Sequence, residues 1–86
     1  MSASIGMEMI MQPEKTSFGD RLFKLRFRRL NLSQDAFAKR YGLTHGMVKD
    51  AEQGRHNPSR AFVSLVAVIE RDPDMVADAV RAAAPV

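Results

Sequence analysis

Cysteine and tryptophan are both missing from this chain of 86 residues. Without cysteine the protein can form neither disulfide bonds nor cysteine-ligated metal sites, a composition that suits a reducing compartment. No apolar run approaches the roughly 20 residues that a membrane-spanning helix requires, and residues 1–12 do not follow the pattern of a secretory signal. We therefore expect a soluble cytoplasmic protein that has no membrane contact and no metal site.

Enzymatic patterns are missing as well. At 86 residues the chain suffices for one small domain but not for a separate catalytic domain beside it. His45 and His56 lie near acidic residues, yet no serine or cysteine nucleophile accompanies them in a recognisable arrangement. The sequence also lacks a glycine-rich phosphate loop and a metal-binding spacing. We expect one domain that is not an enzyme and that binds no cofactor.

Positive charge is unevenly distributed along the chain. Residues 15–60 hold eleven Lys and Arg against four Asp and Glu, whereas the remaining residues hold two against six. A basic segment of this kind favours a polyanion as partner, because neutralised phosphates release their counterions. The charge alone also fits an ordinary solvated surface, so the choice depends on the pattern that carries it.

The most informative segment is residues 32–55, which read LSQDAFAKRYGLTHGMVKDAEQGR. Ser33 and Thr44 are each placed to cap a helix, and Gly42 and Gly54 can each end one in the left-handed conformation. A turn of only three residues between the two helices makes them cross steeply. The segment therefore predicts a helix-turn-helix, and double-stranded DNA is the leading candidate ligand.

Each helix of this pair should bury one side. At ~100° per residue, the second helix has an apolar side and an opposite side that is polar. The predicted inward residues are Ala36, Phe37, the aliphatic stem of Arg40, Met47, Val48 and Ala51. The predicted outward residues of the second helix are His45, Gly46, Lys49 and Asp50.

Three further helices are predicted around this pair. Ser17 begins a capping pattern for a first helix that runs to about Arg29, and Ser59 caps a fourth. Pro73 occupies the first position of a fifth. The predicted core residues are Phe18, Leu22, Leu25, Phe23, Phe27 and Leu30 on the first helix and Phe62, Leu65, Val66 and Ile69 on the fourth. The phenylalanines are thus interpreted as core residues rather than as groups that stack on bases.

The ends of the chain have a separate interpretation. Residues 1–15 lack clear periodicity and are predicted to be a flexible tail, or an arm that orders on DNA or on a partner. Residues 16–86 form the domain. Within it, the helix over 73–84 carries Met75, Val76, Ala79 and Val80, which either pack on the core or contribute to a dimer interface.

The runs Leu-Ser-Gln, Ala-Phe-Ala, Gly-Leu and Glu-Gln-Gly-Arg, followed by Asn57-Pro58, resemble the Cro/repressor (Xre-type) family of bacterial and phage helix-turn-helix regulators. The resemblance covers residues 18–72 and implies an all-α, five-helix, lambda-repressor-type DNA-binding domain. Residues 65–74 are also similar to small antitoxins of the HigA type, which repress their own operons. The chain departs from the family at Ala51, where Trp or Leu is common, and in residues 25–32, which are one residue longer and carry Asn31 where glycine is common.

The second helix of the pair is called the recognition helix, and its first turns are predicted to contact bases. The elements beside it are predicted to contact phosphates. Lys49 can donate to guanine, Asp50 can accept from cytosine N4, and His45 can donate to guanine or to a phosphate. Gly46 permits close approach of the backbone. Alternatively, Lys49 and Asp50 form only an exposed charge pair, and His45 meets only a phosphate or water. The predicted phosphate contacts are Gln34, Thr44, Arg55 and Asn57, with Lys39 and Arg40 as outer contacts.

The family resemblance implies two further roles. Gln34 would meet a phosphate or brace the recognition helix, and Arg26 would form a buried or half-buried ion pair with Glu52, with Arg29 as an alternative partner. The resulting hypothesis is a sequence-specific transcriptional repressor that binds an inverted repeat as a homodimer. The alternative is an antitoxin that neutralises a toxin partner and regulates its own operon.

Overall fold

Five helices make up the part of the chain that a computed structural model describes, residues 17–55 and 57–84, and these residues contain no strand. The helices are α1 (Phe18–Phe23, continued as a π-helix over Lys24–Arg29), α2 (Gln34–Arg40), α3 (His45–Gln53), α4 (Arg60–Arg71) and α5 (Pro73–Ala83). The predicted all-α class and helix number are confirmed. None of the described helices is both long enough and apolar enough to cross a membrane. The prediction for residues 1–15 falls outside the described residues.

The four residues predicted to cap a helix do so, and Asp72 caps the fifth helix, in which Pro73 has its predicted first position. The side-chain oxygens of Ser17, Ser33, Thr44, Ser59 and Asp72 accept hydrogen bonds from the backbone N–H groups of Asp20, Ala36, Met47, Phe62 and Met75. Such a cap contributes about 1 kcal/mol, because it satisfies an N–H that has no partner within the helix. The left-handed conformation predicted for the two glycines is also confirmed, with φ of 71° at Gly42 and 70° at Gly54.

The second half of α1 adopts a π-helix, which the sequence pattern did not predict. Its backbone hydrogen bonds span five residues, as in the 3.0 Å bond from Leu30 N to Leu25 O, so each turn holds more residues than in an α-helix. Asn31 then reverses the chain with a φ of 56°, which asparagine adopts more readily than most residues other than glycine.

Every helix contributes to one hydrophobic core. The buried apolar residues are Leu22, Leu25, Phe37, Ala38, Tyr41, Val48, Ala51, Phe62, Val66, Ile69, Val76 and Ala77. The side of α5 with Val76, Ala77 and Val80 packs on the core, whereas Met75 and Ala79 are exposed, and a dimer interface on this helix stays a prediction. The Tyr41 hydroxyl donates to the carbonyl oxygen of Pro73 over 3.1 Å and thereby ties the end of α2 to the start of α5.

The predicted inward face of the two short helices is partly wrong. On α2, Phe37 and Ala38 are buried, whereas Ala36 is half-buried and Arg40 is exposed. On α3, Val48 and Ala51 are buried, but Met47 is 43% exposed. The reason is that α2 contacts α5 as well as α3, so its buried side turns further around the helix than a single partner would require.

Phe23 and Phe27 are not core residues, contrary to the prediction. They are 38% and 54% exposed, and their rings stack on each other with centroids 5.3 Å apart. Leu22, Leu25 and Arg26 form the buried stripe of α1 at spacings of three and four residues, and Phe23 and Phe27 lie four residues apart on the exposed stripe beside it.

Candidate nucleic-acid interface

The turn between α2 and α3 is held by backbone hydrogen bonds. The N–H of Leu43 donates to the carbonyl oxygen of Ala38 over 2.8 Å, and the N–H of Tyr41 donates to that of Phe37 over 3.1 Å. The two helices also contact each other, and Phe37 and Val48 both belong to the core cluster. As a result, α3 is attached on its inner side and presents its other side to solvent.

The solvent side of α3 carries the residues predicted to read bases. His45, Gly46 and Lys49 are exposed, and Asp50 is half-buried. Within the described residues, Lys49 and Asp50 do not form a salt bridge with each other. A Cβ added at Gly46 would meet only the Thr44 hydroxyl, at 3.9 Å, so the protein itself does not require glycine here. Its small size leaves the surface of α3 open to an approaching ligand.

The inner end of α3 is tied to α1 by a buried ion pair. Arg26 Nε lies 2.6 Å from Glu52 Oε2, and Arg26 Nη2 donates to Glu52 Oε1 over 2.9 Å. The side chains are only 8% and 7% exposed. A third donor, Arg26 Nη1, binds the carbonyl oxygen of Leu32 over 2.8 Å. The geometry is bidentate and the guanidinium is well satisfied, as a buried ion pair requires if it is not to destabilise the fold.

Arg29, the alternative partner, lies elsewhere. Its Nη1 donates to the backbone carbonyl oxygen of Glu70 over 2.5 Å. The carboxylate of Glu70 in turn receives a bidentate contact from Arg21, with distances of 2.6 and 2.9 Å. This hydrogen bond raises the pKa of the Arg21 guanidinium above its ordinary value. These contacts join α1 to α4 on the surface, so Arg26 and not Arg29 is the ion-pair partner of Glu52.

Gln34 links the buried ion pair to the exposed end of α3. Its Nε2 donates to Glu52 Oε1 over 3.0 Å, and its Oε1 lies 3.1 Å from Nε2 of His45. A carboxylate only accepts hydrogen bonds, so the amide of Gln34 has its NH₂ group toward Glu52 and its oxygen toward His45. His45 Nε2 must then carry the proton, which leaves Nδ1 for another partner.

The phosphate-contact candidates surround this face. Thr44 already accepts the N–H of Met47, but its hydroxyl hydrogen can still be donated. Arg55 and Asn57 are exposed in the loop between α3 and α4. Lys39 pairs with Asp35 at 3.3 Å and Arg40 with Asp74 at 3.1 Å. Exposed pairs of this kind contribute at most about 1 kcal/mol, so both cations can exchange a carboxylate for a phosphate.

Two features of this region escaped the sequence analysis. One is the hydrogen-bonded path from Arg26 through Glu52 and Gln34 to His45, of which the sequence indicated only separate parts. The other is an apolar groove beside α3 with a volume of about 420 Å³, bordered by Met47 and Phe62. The small residue Ala51 was the only sequence signal for this groove. The residues opposite it, Pro58, Ser59 and Phe62, come close to it only when the chain is folded.

No protein-family model matches this chain, and comparisons with curated proteins and with solved structures give no significant match either. A function must therefore be argued from the arrangement of the residues themselves.

Proposed function

We propose that this protein is a sequence-specific DNA-binding transcriptional regulator of the Cro/repressor type, which represses transcription as a homodimer on an inverted repeat. The observation that carries the proposal is the construction of α3. One side of the helix is fixed by Val48, Ala51 and the Arg26–Glu52 ion pair, and the other side exposes polar groups. A helix held in this way can enter the major groove without losing its own packing.

Base recognition would come from the exposed side of α3. Lys49 forms no salt bridge among the described residues and is available to donate to guanine O6 or N7. Asp50, one residue on, offers an acceptor for cytosine N4. The side chain of Gln34 hydrogen-bonds to Nε2 of His45 and so favours one orientation of the ring before DNA arrives. Such preorganisation reduces the entropy that binding would otherwise cost.

Phosphate contacts would flank this helix on both sides. Arg55 and Asn57 follow the end of α3, whereas Lys39 and Arg40 lie at the end of α2. Contacts from two elements position a recognition helix in register and contribute affinity that does not depend on sequence. Inverted repeats suit a two-fold dimer, whose two recognition helices meet successive major grooves about 34 Å apart.

The experiment that tests this function starts from random DNA. Purified protein would be used to select duplexes from a random pool, and the enriched sequence would then be titrated by fluorescence anisotropy against a scrambled duplex. We expect an enriched inverted repeat and an affinity that falls by orders of magnitude between low and moderately high salt. Absence of any enriched sequence, together with a flat response to salt, would refute the proposal.

A matched variant makes the test specific to α3. Lys49→Ala removes one positive charge from the solvent side of α3, and Lys24→Ala removes the same charge from a position beside Arg29 and Glu70. Only Lys49→Ala should reduce the preference for the selected sequence. Equal losses for the two variants would indicate that the exposed side of α3 does not read bases.

A further inference from the structure

The apolar groove beside α3 has no occupant among the described residues. Its apolar walls are Met47, Ala51, Pro58 and Phe62, and Thr44 and Asp50 also line it. Ala51 contributes only a methyl group to the groove, where α3 faces the start of α4. Although Ala51 itself is buried, Met47 remains 43% exposed along the edge.

The chain enters the fold at the border of this groove. The ring of Phe18, the first residue of α1, packs edge-on against Phe62 with a centroid distance of 5.5 Å. Gly19 is so close to the end of α3 that a Cβ there would lie 2.7 Å from the carbonyl oxygen of Ala51. Both neighbours of the entering chain, Phe62 and Ala51, are therefore groove residues. Ser17, the N-cap of α1, directly precedes these two contacts.

The sequence that precedes Ser17 contains a short apolar segment within reach. Residues 7–11 read Met-Glu-Met-Ile-Met and are called the methionine-rich segment below. Met11 lies six positions before Ser17, a distance of roughly 20 Å when the chain is extended. In an extended chain, Met7, Met9 and Met11 would lie on one side. Methionine side chains are unbranched and fill irregular apolar surfaces, with favourable contacts between sulfur and aromatic rings such as that of Phe62.

We propose that the methionine-rich segment of the same chain occupies the groove beside α3. The covalent connection favours this occupant over others, because a short tether raises the local concentration of a ligand to the millimolar range. A weak apolar contact is then sufficient for occupancy. The segment would cover the exposed edge of α3 at Met47. The groove shares Thr44, Gly46 and Asp50 with the side of α3 that is proposed to contact DNA, so the segment would compete with DNA there, although its presence in the groove can be tested without DNA.

Methionine-methyl NMR of the full chain tests the proposal. The six methionines comprise four in residues 1–11 and two in the described helices, Met47 on α3 and Met75 on α5. We expect nuclear Overhauser contacts between methyls of the methionine-rich segment and the ring protons of Phe62. Replacing Met7, Met9 and Met11 together by glutamine should shift the Met47 methyl resonance and leave that of Met75 unchanged.

A control and a second variant complete the experiment. Replacement of Ser2, Ser4 and Gln12 by alanine changes the same number of residues in the same part of the chain and should leave the Met47 resonance in place. Ala51→Leu fills the groove from within and should abolish the contacts to Phe62. Circular dichroism establishes that this variant retains its helices, and if it unfolds, the triple glutamine variant decides the question alone.

Two results would overturn the proposal. The first is a Met47 resonance that does not respond to the triple glutamine variant, combined with no contact to Phe62. The second is a contact that appears only between differently labelled copies and disappears on dilution, which would assign the groove to a second copy of the chain.

Discussion

The buried ion pair between Arg26 and Glu52 is expected to respond to mutation in a way that an exposed pair does not. The side chain of Glu52 is only 7% exposed, and Arg26→Met removes the cation that pairs with its carboxylate. Removal of one partner from a buried pair typically destabilises a protein by about 3–5 kcal/mol, because the remaining charge is uncompensated. In a domain of this size about 1 kcal/mol shifts the melting temperature by roughly 4–8 °C. We therefore expect a decrease of about 12 °C or more.

The same substitution at another position of α1 provides the control. Arg21 also makes a bidentate contact, with Glu70, but these side chains are 45% and 26% exposed. Solvent screens such a pair, so Arg21→Met should cost at most about 1 kcal/mol. Thermal unfolding followed by circular dichroism compares the two variants directly. Equal decreases for Arg21→Met and Arg26→Met would refute the reasoning that burial determines the energy of the Arg26 pair.

The double variant Arg26→Met/Glu52→Leu separates stability from the arrangement of α3. With both charges replaced by apolar groups of similar size, most of the lost stability should return. Gln34, however, loses the acceptor that orients its amide toward His45. We therefore expect a folded protein that discriminates less between its selected DNA sequence and a scrambled duplex. A double variant as unstable as Arg26→Met would show that an unpaired charge is not the cause.

Three further predictions concern single residues. Lys49→Ala should reduce the binding free energy on the selected DNA site by about 1–3 kcal/mol and relax the preference at one base pair per half-site. Arg55→Ala should instead weaken binding to selected and scrambled duplexes by similar factors. Anisotropy titrations of both variants on both duplexes distinguish the two effects. Gly19→Ala would place a Cβ 2.7 Å from two carbonyl oxygens of α3, so chemical denaturation should show a clear loss of stability, and a neutral result would contradict this close approach. Asn31→Val should lower the free energy of unfolding by roughly 1–2 kcal/mol, because the φ of 56° is unfavourable for a β-branched residue. Asn31→Gly, measured in the same denaturation series, should leave that free energy unchanged or higher.

The sequence by itself determined where the helices begin and end. Capping by Ser33 and Thr44 depends on hydrogen bonds to residues three positions further on, and the left-handed glycines act on their own backbone. Such interactions are complete within one turn of chain, so local rules suffice. For the same reason the exposed polar side of α3 was predictable from helical periodicity.

Only the tertiary structure decided which side chains are buried and which are brought together. Ala38 replaces Ala36 on the inner side of α2 because that helix contacts two neighbours, and Phe27 is exposed because the core forms on the stripe of Leu22 and Leu25 instead. The path from Arg26 through Glu52 to His45 joins α1, α2 and α3, and the groove at Ala51 joins α3 to the loop before α4. These contacts depend on the angles between helices, which no local pattern of residues specifies.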